Sequence, residues 1–201
     1  MNGKKPKPHS RTTRFFHMSI ALLVISQLAT SKFMVHPGKD REGDLLFEIH
    51  EYSGMLALFV ICGFWLHILR RGRGTNPALL FPWFSSAGLQ AFWIDVKAHL
   101  KSVLSFKIPD HVENGPLASG VHGLGILLIS LMTATGTTWF ISQQIGDSAK
   151  WWGGAAKEVH EIFSNLVWVY FIAHAGLAII NQFAGKQPLS DMWSVKGDNE
   201  T

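Results

Sequence analysis

The sequence predicts an all-α integral membrane protein, a bundle of four spanning helices with an additional helix at the cytoplasmic surface. Three observations lead there. Of the 201 residues 47% are hydrophobic and only 16% are charged. Charge is nearly absent from four windows, residues 15–35, 49–69, 118–141 and 159–183, each long enough to cross about 30 Å of hydrocarbon. The windows also lack the period-2 alternation of barrel strands, which leaves helices as the way to satisfy a backbone in lipid. Residues 1–201 are thus expected to form one membrane domain.

The first window follows Lys4, Lys5, Lys7, Arg11 and Arg14. A cleaved signal peptide would share that basic start, but this run is long and no small-x-small site precedes Lys32. The single cysteine, Cys62, falls inside the second window. It offers no disulfide framework, no Cys-x-x-Cys-His attachment for c-type haem and no thiolate cluster. The basic pI, about 9.3, is explained by topology rather than by a nucleic-acid partner. Five cations precede the first span and Arg70, Arg71, Arg73, Lys97, Lys101 and Lys107 follow the second. The other two connections hold fewer, so the positive-inside rule places both termini in the cytoplasm, of a bacterial inner membrane.

The second connection, about residues 70–117, is too long for a turn. Within it Leu89, Phe92, Trp93, Val96, Leu100, Val103 and Leu104 recur at helical spacing. That pattern predicts a helix lying on the cytoplasmic surface with its lysines reaching water; the plainer alternative is a partly ordered loop. Pro109 and Gly115-Pro116 then break the chain before the third span. Trp151-Trp152-Gly153-Gly154 reads as an aromatic anchor at the other membrane face, or as part of a docking or quinone site. The tail after Gly185 is short and polar.

Ten histidines are present, and depth sorts them. His9, His36, His99 and His111 lie in tails or connections, where solvation is the ordinary explanation. His17, His50, His67, His122, His160 and His174 lie in spans or at their ends. An imidazole within a spanning helix is costly enough to suggest function. His160 and His174 are fourteen residues apart, which brings both to within about 40° of one helix face and about 21 Å apart along the axis. That spacing predicts one site near each membrane face. The periplasmic site pairs His50 with His160, both followed by glutamate.

Three residues compete to partner His174. A flat macrocycle beside a ligating imidazole needs a small residue one turn away. Ala21 follows His17, Gly54 follows His50, Ser164 follows His160 and Ala178 follows His174, whereas Arg71 follows His67 and Ile126 follows His122. His67 also lies about 100° around its helix from His50. His17 is therefore preferred. Gly123 and Gly125 flank His122 and leave room for a cofactor edge or a quinone. Capping or snorkelling explains a single helix-end histidine well; it explains four at two matched depths poorly.

Imidazole alone does not name a metal. Each predicted site has two imidazoles and no third ligand, which suits haem better than zinc. Small residues along the spans leave space for a flat group, although they also serve close helix packing. Two axial histidines leave no position for oxygen, so the chemistry becomes one-electron transfer. Arg14, Arg70 or Arg71 could neutralise propionates on one side and Lys157 on the other, or could act as topology anchors.

The order His17 after a basic N-terminus, His50 opening the second span, and His160-Glu161 with His174 fourteen residues on resembles the bacterial cytochrome b561 family and the related b-type cytochrome subunits of nickel-iron hydrogenases. The resemblance covers the four spans and implies two haem b groups, near opposite faces, passing electrons between quinone and a periplasmic or membrane redox partner. Carried over by position, it implies His50 and His160 as ligands of one haem and His17 and His174 of the other; Arg14, Gly54 and His122, singled out above from charge and small neighbours, are the further candidates for the cofactor sites. The long second connection and His67 depart from the simplest members. The same residues would serve a cytochrome subunit of a larger dehydrogenase or hydrogenase complex, and a homodimer is compatible with them. Whether the chain is itself an oxidoreductase is left open. A histidine-relay metal or proton transporter is the rival class, and it is disfavoured because the acidic residues of the spans, Glu51 and Glu161, sit at helix ends rather than along a pathway.

Overall fold

The computed structural model describes residues 9–38, 40–70, 77–105, 115–186 and 189–193. Four long helices, α1 (Arg11–Phe33), α2 (Leu45–Arg70), α5 (Pro116–Ile145) and α6 (Lys150–Phe183), have the length and composition of membrane spans. The second connection carries the short α3 (Pro77–Leu80), a 3₁₀ turn (Pro82–Phe84) and α4 (Ser86–Leu104), and the chain ends in α7 (Ser190–Trp193). Among the described residues there is no strand, only an isolated bridge between Gly38 and Arg41. Arg71, Arg73, Lys107, Pro109, His111, the lysines before His9 and the tail beyond Trp193 lie outside the described residues.

Local chemistry sets the helix ends. Asp44 caps α2: its Oδ1 accepts the N–H of Phe47 at 2.9 Å and that of Val35 at 3.0 Å, so one carboxylate starts a helix and closes the connection behind α1. The Val35 N–H, followed by those at the helix start, holds the Asp44 carboxyl below its ordinary 3.8. Pro116 opens α5, where its missing N–H costs nothing. Asp95 of α4 completes that end, its Oδ2 accepting the Leu117 N–H at 2.9 Å. Gly146, at φ 87°, ends α5 in a conformation open to glycine.

The chain divides into two compact units. One comprises residues 1–15, 67–127 and 173–201. Here the second connection is ordered against α5 by two glycines. Gly120 lies under Phe92 and Pro82, and at Gly123 an added Cβ would overlap the Leu80 carbonyl oxygen. The predicted surface helix forms as α4, with Phe92 turned to α5 while Leu89, Trp93, Leu100 and Leu104 remain exposed beside Lys97 and Lys101. His99 binds Asp95 through Nδ1 at 3.0 Å.

The other unit comprises residues 16–66 and 128–172. Leu28, Phe47, Ala57, Ile61, Phe64, Leu128, Ile129 and Val167 form its interior. Trp65 Nε1 donates to Ser130 Oγ at 2.9 Å, tying α2 to α5. Phe59, Val169 and Ile172 face outward, as apolar side chains of a spanning helix do in lipid. The helix α6 starts nine residues before the expected span and takes in Trp151 to Gly154. The cause is close packing: Gly153 lies against the Ser142 side chain of α5, with no room for a Cβ.

Two outcomes follow. Gly123→Ala should expel the Leu80 carbonyl from α5 and lower the thermal midpoint of the detergent-solubilised protein, an overpacking cost of about 1–3 kcal/mol. It should also expose the second connection to limited proteolysis. Because the Asp44 carboxyl titrates lower in the folded chain, its stabilisation is present above 3.8 and is lost as pH falls through the lowered value. Asp44→Asn should flatten that acid limb in thermal melts between about pH 5 and pH 2.

Candidate haem site

Among the spanning histidines, α2 and α6 bring His50 and His160 together within one unit. Their ring centroids are 6.3 Å apart and their planes 80° apart. Each imidazole is half-buried and has a threonine on Nδ1. Thr30 Oγ1, on α1, lies 3.0 Å from His50 Nδ1, and Thr135 Oγ1, on α5, lies 3.0 Å from His160 Nδ1. All four long helices contribute to this cluster.

Several neighbours hold the rings. Gln27 Nε2 donates to the His50 carbonyl and to Ser53 Oγ, both at 2.7 Å. Gly54 lies beside that amide, where a Cβ would make ordinary contact with Gln27 Oε1 at 3.4 Å. The small residue after His50 thus faces α1, where the sequence reading reserved its space for a cofactor. Gly136 admits the other imidazole: a Cβ would stand 3.1 Å from His160 Cε1. Ser164, the small residue after His160, donates its hydroxyl to the Glu161 carbonyl at 2.7 Å.

The arrangement fits a haem iron. Imidazole nitrogens bond first-row metals at about 2.0 Å, so two rings opposed across one ion have centroids about 6 Å apart. The His50–His160 spacing of 6.3 Å matches. With both Nδ1 atoms held by threonine, the Nε2 atoms are left for a metal. No group of three or more His, Cys, Asp or Glu capable of holding a metal ion occurs among the described residues, which leaves a bis-imidazole site as the pattern present.

The remaining candidates are placed as follows. In the unit containing α4, His122 of α5 and His174 of α6 are in edge contact, centroids 5.4 Å apart and planes at 78°. Here His174 has His122 beside it, the residue that the i+4 argument ranked below His17. His17 lies on α1 in the unit of His50 and is half-buried. Arg14 is fully buried at the start of α1, so its guanidinium belongs to the interior and is no snorkelling anchor. His67 is accounted for locally: its Nε2 bonds Thr13 Oγ1 at 2.9 Å, and Thr13 bonds Ser10 Oγ at 3.0 Å. His36 stacks edge-on with Phe47.

Thr30, Thr135, Gln27 and the specific role of Gly136 were not singled out from the sequence. A signal was there: hydroxyls in spans recur at the depth of the predicted periplasmic site. What hid it is that threonine in a membrane helix ordinarily returns its hydroxyl to its own backbone, as both of these also do.

No curated protein and no solved structure matches the chain. The profile of the family described as Prokaryotic cytochrome b561 matches residues 8–195, nearly the whole length. Paired imidazoles on four membrane-spanning helices are what a haem-binding, electron-transferring membrane cytochrome of a bacterium requires, and the chain belongs to the prokaryotic cytochrome b561 family.

Proposed function

We propose that this b-type cytochrome carries two haems, and that it passes electrons between quinone and a redox partner protein across the bacterial inner membrane. The observation that carries the reading is the His50–His160 pair, with ring centroids 6.3 Å apart and a threonine on each Nδ1. When bound there, haem supplies reversible one-electron transfer. The chain's own part would be to hold the haem through His50 and His160, with Thr30 and Thr135 on their Nδ1 atoms, and to keep the site within apolar helices.

The second haem is assigned to His174, with His17 as its partner from the sequence. The buried Arg14 is a charge partner for a propionate on that haem. A specific observation favours a second reading, in which His122 replaces His17: its ring touches that of His174. The outward apolar face of α4, with Lys97 and Lys101 at its side, suits a helix lying in the cytoplasmic headgroup layer.

Haem content and low-spin electron paramagnetic resonance of single alanine variants test the assignment. His50→Ala and His160→Ala should each lose one haem and keep the other. His17→Ala should lose the other haem while His122→Ala keeps both; the opposite result would make His122 the ligand. Zinc in a colourless purified protein would support a transporter instead.

Topology is tested separately, on the basic N-terminus and second connection. A reporter fused after Gly185 should be active only in the cytoplasm, and one inserted near Gly43 only outside. The reverse pattern would exchange the membrane faces of the two haems.

A further inference from the structure

Thr30 and Thr135 stand in equivalent relations to the two opposed imidazoles although they come from different helices. A threonine hydroxyl has one hydrogen and two lone pairs. Thr30 Oγ1 lies 2.8 Å from the Ser26 carbonyl oxygen and 3.1 Å from that of Gln27. Carbonyl oxygens accept only, so the hydroxyl hydrogen is directed to them. Toward His50 Nδ1, at 3.0 Å, Thr30 can then only accept. Thr135 repeats the pattern, with the Leu131 and Met132 carbonyls at 2.8 and 3.1 Å and His160 Nδ1 at 3.0 Å. In both cases the backbone of the threonine's own helix decides the direction of the bond to the histidine.

We infer that Thr30 and Thr135 are positioning residues for the haem between His50 and His160: each accepts the Nδ1 proton, fixes the Nε2-ligating tautomer, and holds the two ring planes near perpendicular. The inference rests on His50 and His160 being the ligands. It adds two residues from α1 and α5, so that all four long helices set the ligand geometry.

The consequences have a sign. Donation of Nδ1–H to a hydroxyl raises the basicity of Nε2 and favours oxidised iron. Without the hydroxyl, the ring keeps only its backbone hydrogen bond, to Gln27 for His50 and to Met132 for His160, so the ligand is a poorer donor and the midpoint potential of that haem rises. The ring also loses the contact that sets its angle about the metal–nitrogen axis. The planes stand 80° apart in the structure, an arrangement that gives ferric low-spin haem a strongly anisotropic resonance, distinct from that of parallel imidazoles.

The test uses the full-length haem-loaded protein in detergent. Thr30→Val and Thr135→Val keep the side-chain shape and remove the oxygen. Each should raise the potential of one haem, move that haem's resonance away from the strongly anisotropic form, and weaken its retention by about 10–100-fold. The second haem should be unchanged, and Thr30→Ser and Thr135→Ser should restore wild-type behaviour. If valine prevents accumulation, Thr30→Ala and Thr135→Ala are read in the same way. Unchanged potential and resonance in the variants lacking the hydroxyl, while His50→Ala and His160→Ala lose a haem, would overturn the threonine role alone. Retention of both haems in His50→Ala and His160→Ala would overturn the ligand assignment and the inference with it.

Discussion

An imidazole inside a membrane-spanning helix has two ring nitrogens, and hydrocarbon satisfies neither. At His50 and His160 the fold answers with one threonine on each Nδ1, and in the proposed function a haem iron answers for the two Nε2 atoms. Much of the arrangement around them follows from this requirement. The threonines must come from other helices, α1 and α5, which therefore have to be held in register with α2 and α6. In lipid there is little hydrophobic drive for such association, so close packing and interhelical hydrogen bonds do the holding.

The glycines and amides around the pair do that work. Gln27 crosses from α1 to the His50 carbonyl and Ser53, alongside Gly54. Gly136 lets the His160 ring lie against α5, and Gly153 lets the start of α6 lie against Ser142. Trp65 and Ser130 bond α2 to α5. In the other unit the same device is used for a different end: Gly120 and Gly123 seat the second connection on α5, and Asp95 ties α4 to its first turn.

The spans were legible because hydrophobic length in a membrane is a strong physical requirement, and α4 was legible from its spacing of apolar residues. The His50 and His160 adjacency followed from depth alone, since the second and fourth spans run in the same direction and each carries its histidine toward the same end. What depth could not supply was the facing of each helix. That is why the neighbour of His174 in the structure, His122, was ranked second from sequence. The i+4 rule also read Gly54 as space for a cofactor, and in the structure the Gln27 side chain lies on that side of α2, within ordinary contact distance of where a Cβ would stand. A small residue announces a close approach, and only the packing tells what approaches. Thr30 and Thr135 were missed because their bonds to backbone carbonyls are what any membrane threonine makes; the second partner is a tertiary fact. The start of α6 was placed late because the charge-poor window begins only after Lys157 and Glu158, while the helix continues back through both to Lys150, with Gly153 packed against Ser142.

The proposed function puts one haem iron between His50 and His160. Anomalous diffraction from crystals of the haem-loaded protein, recorded on either side of the iron absorption edge, locates that atom directly. The account predicts a peak between the two imidazoles, within about 2 Å of each Nε2, with both Nδ1 atoms still on Thr30 and Thr135. Iron peaks elsewhere, with the His50 and His160 rings in contact with each other or with solvent, would contradict it.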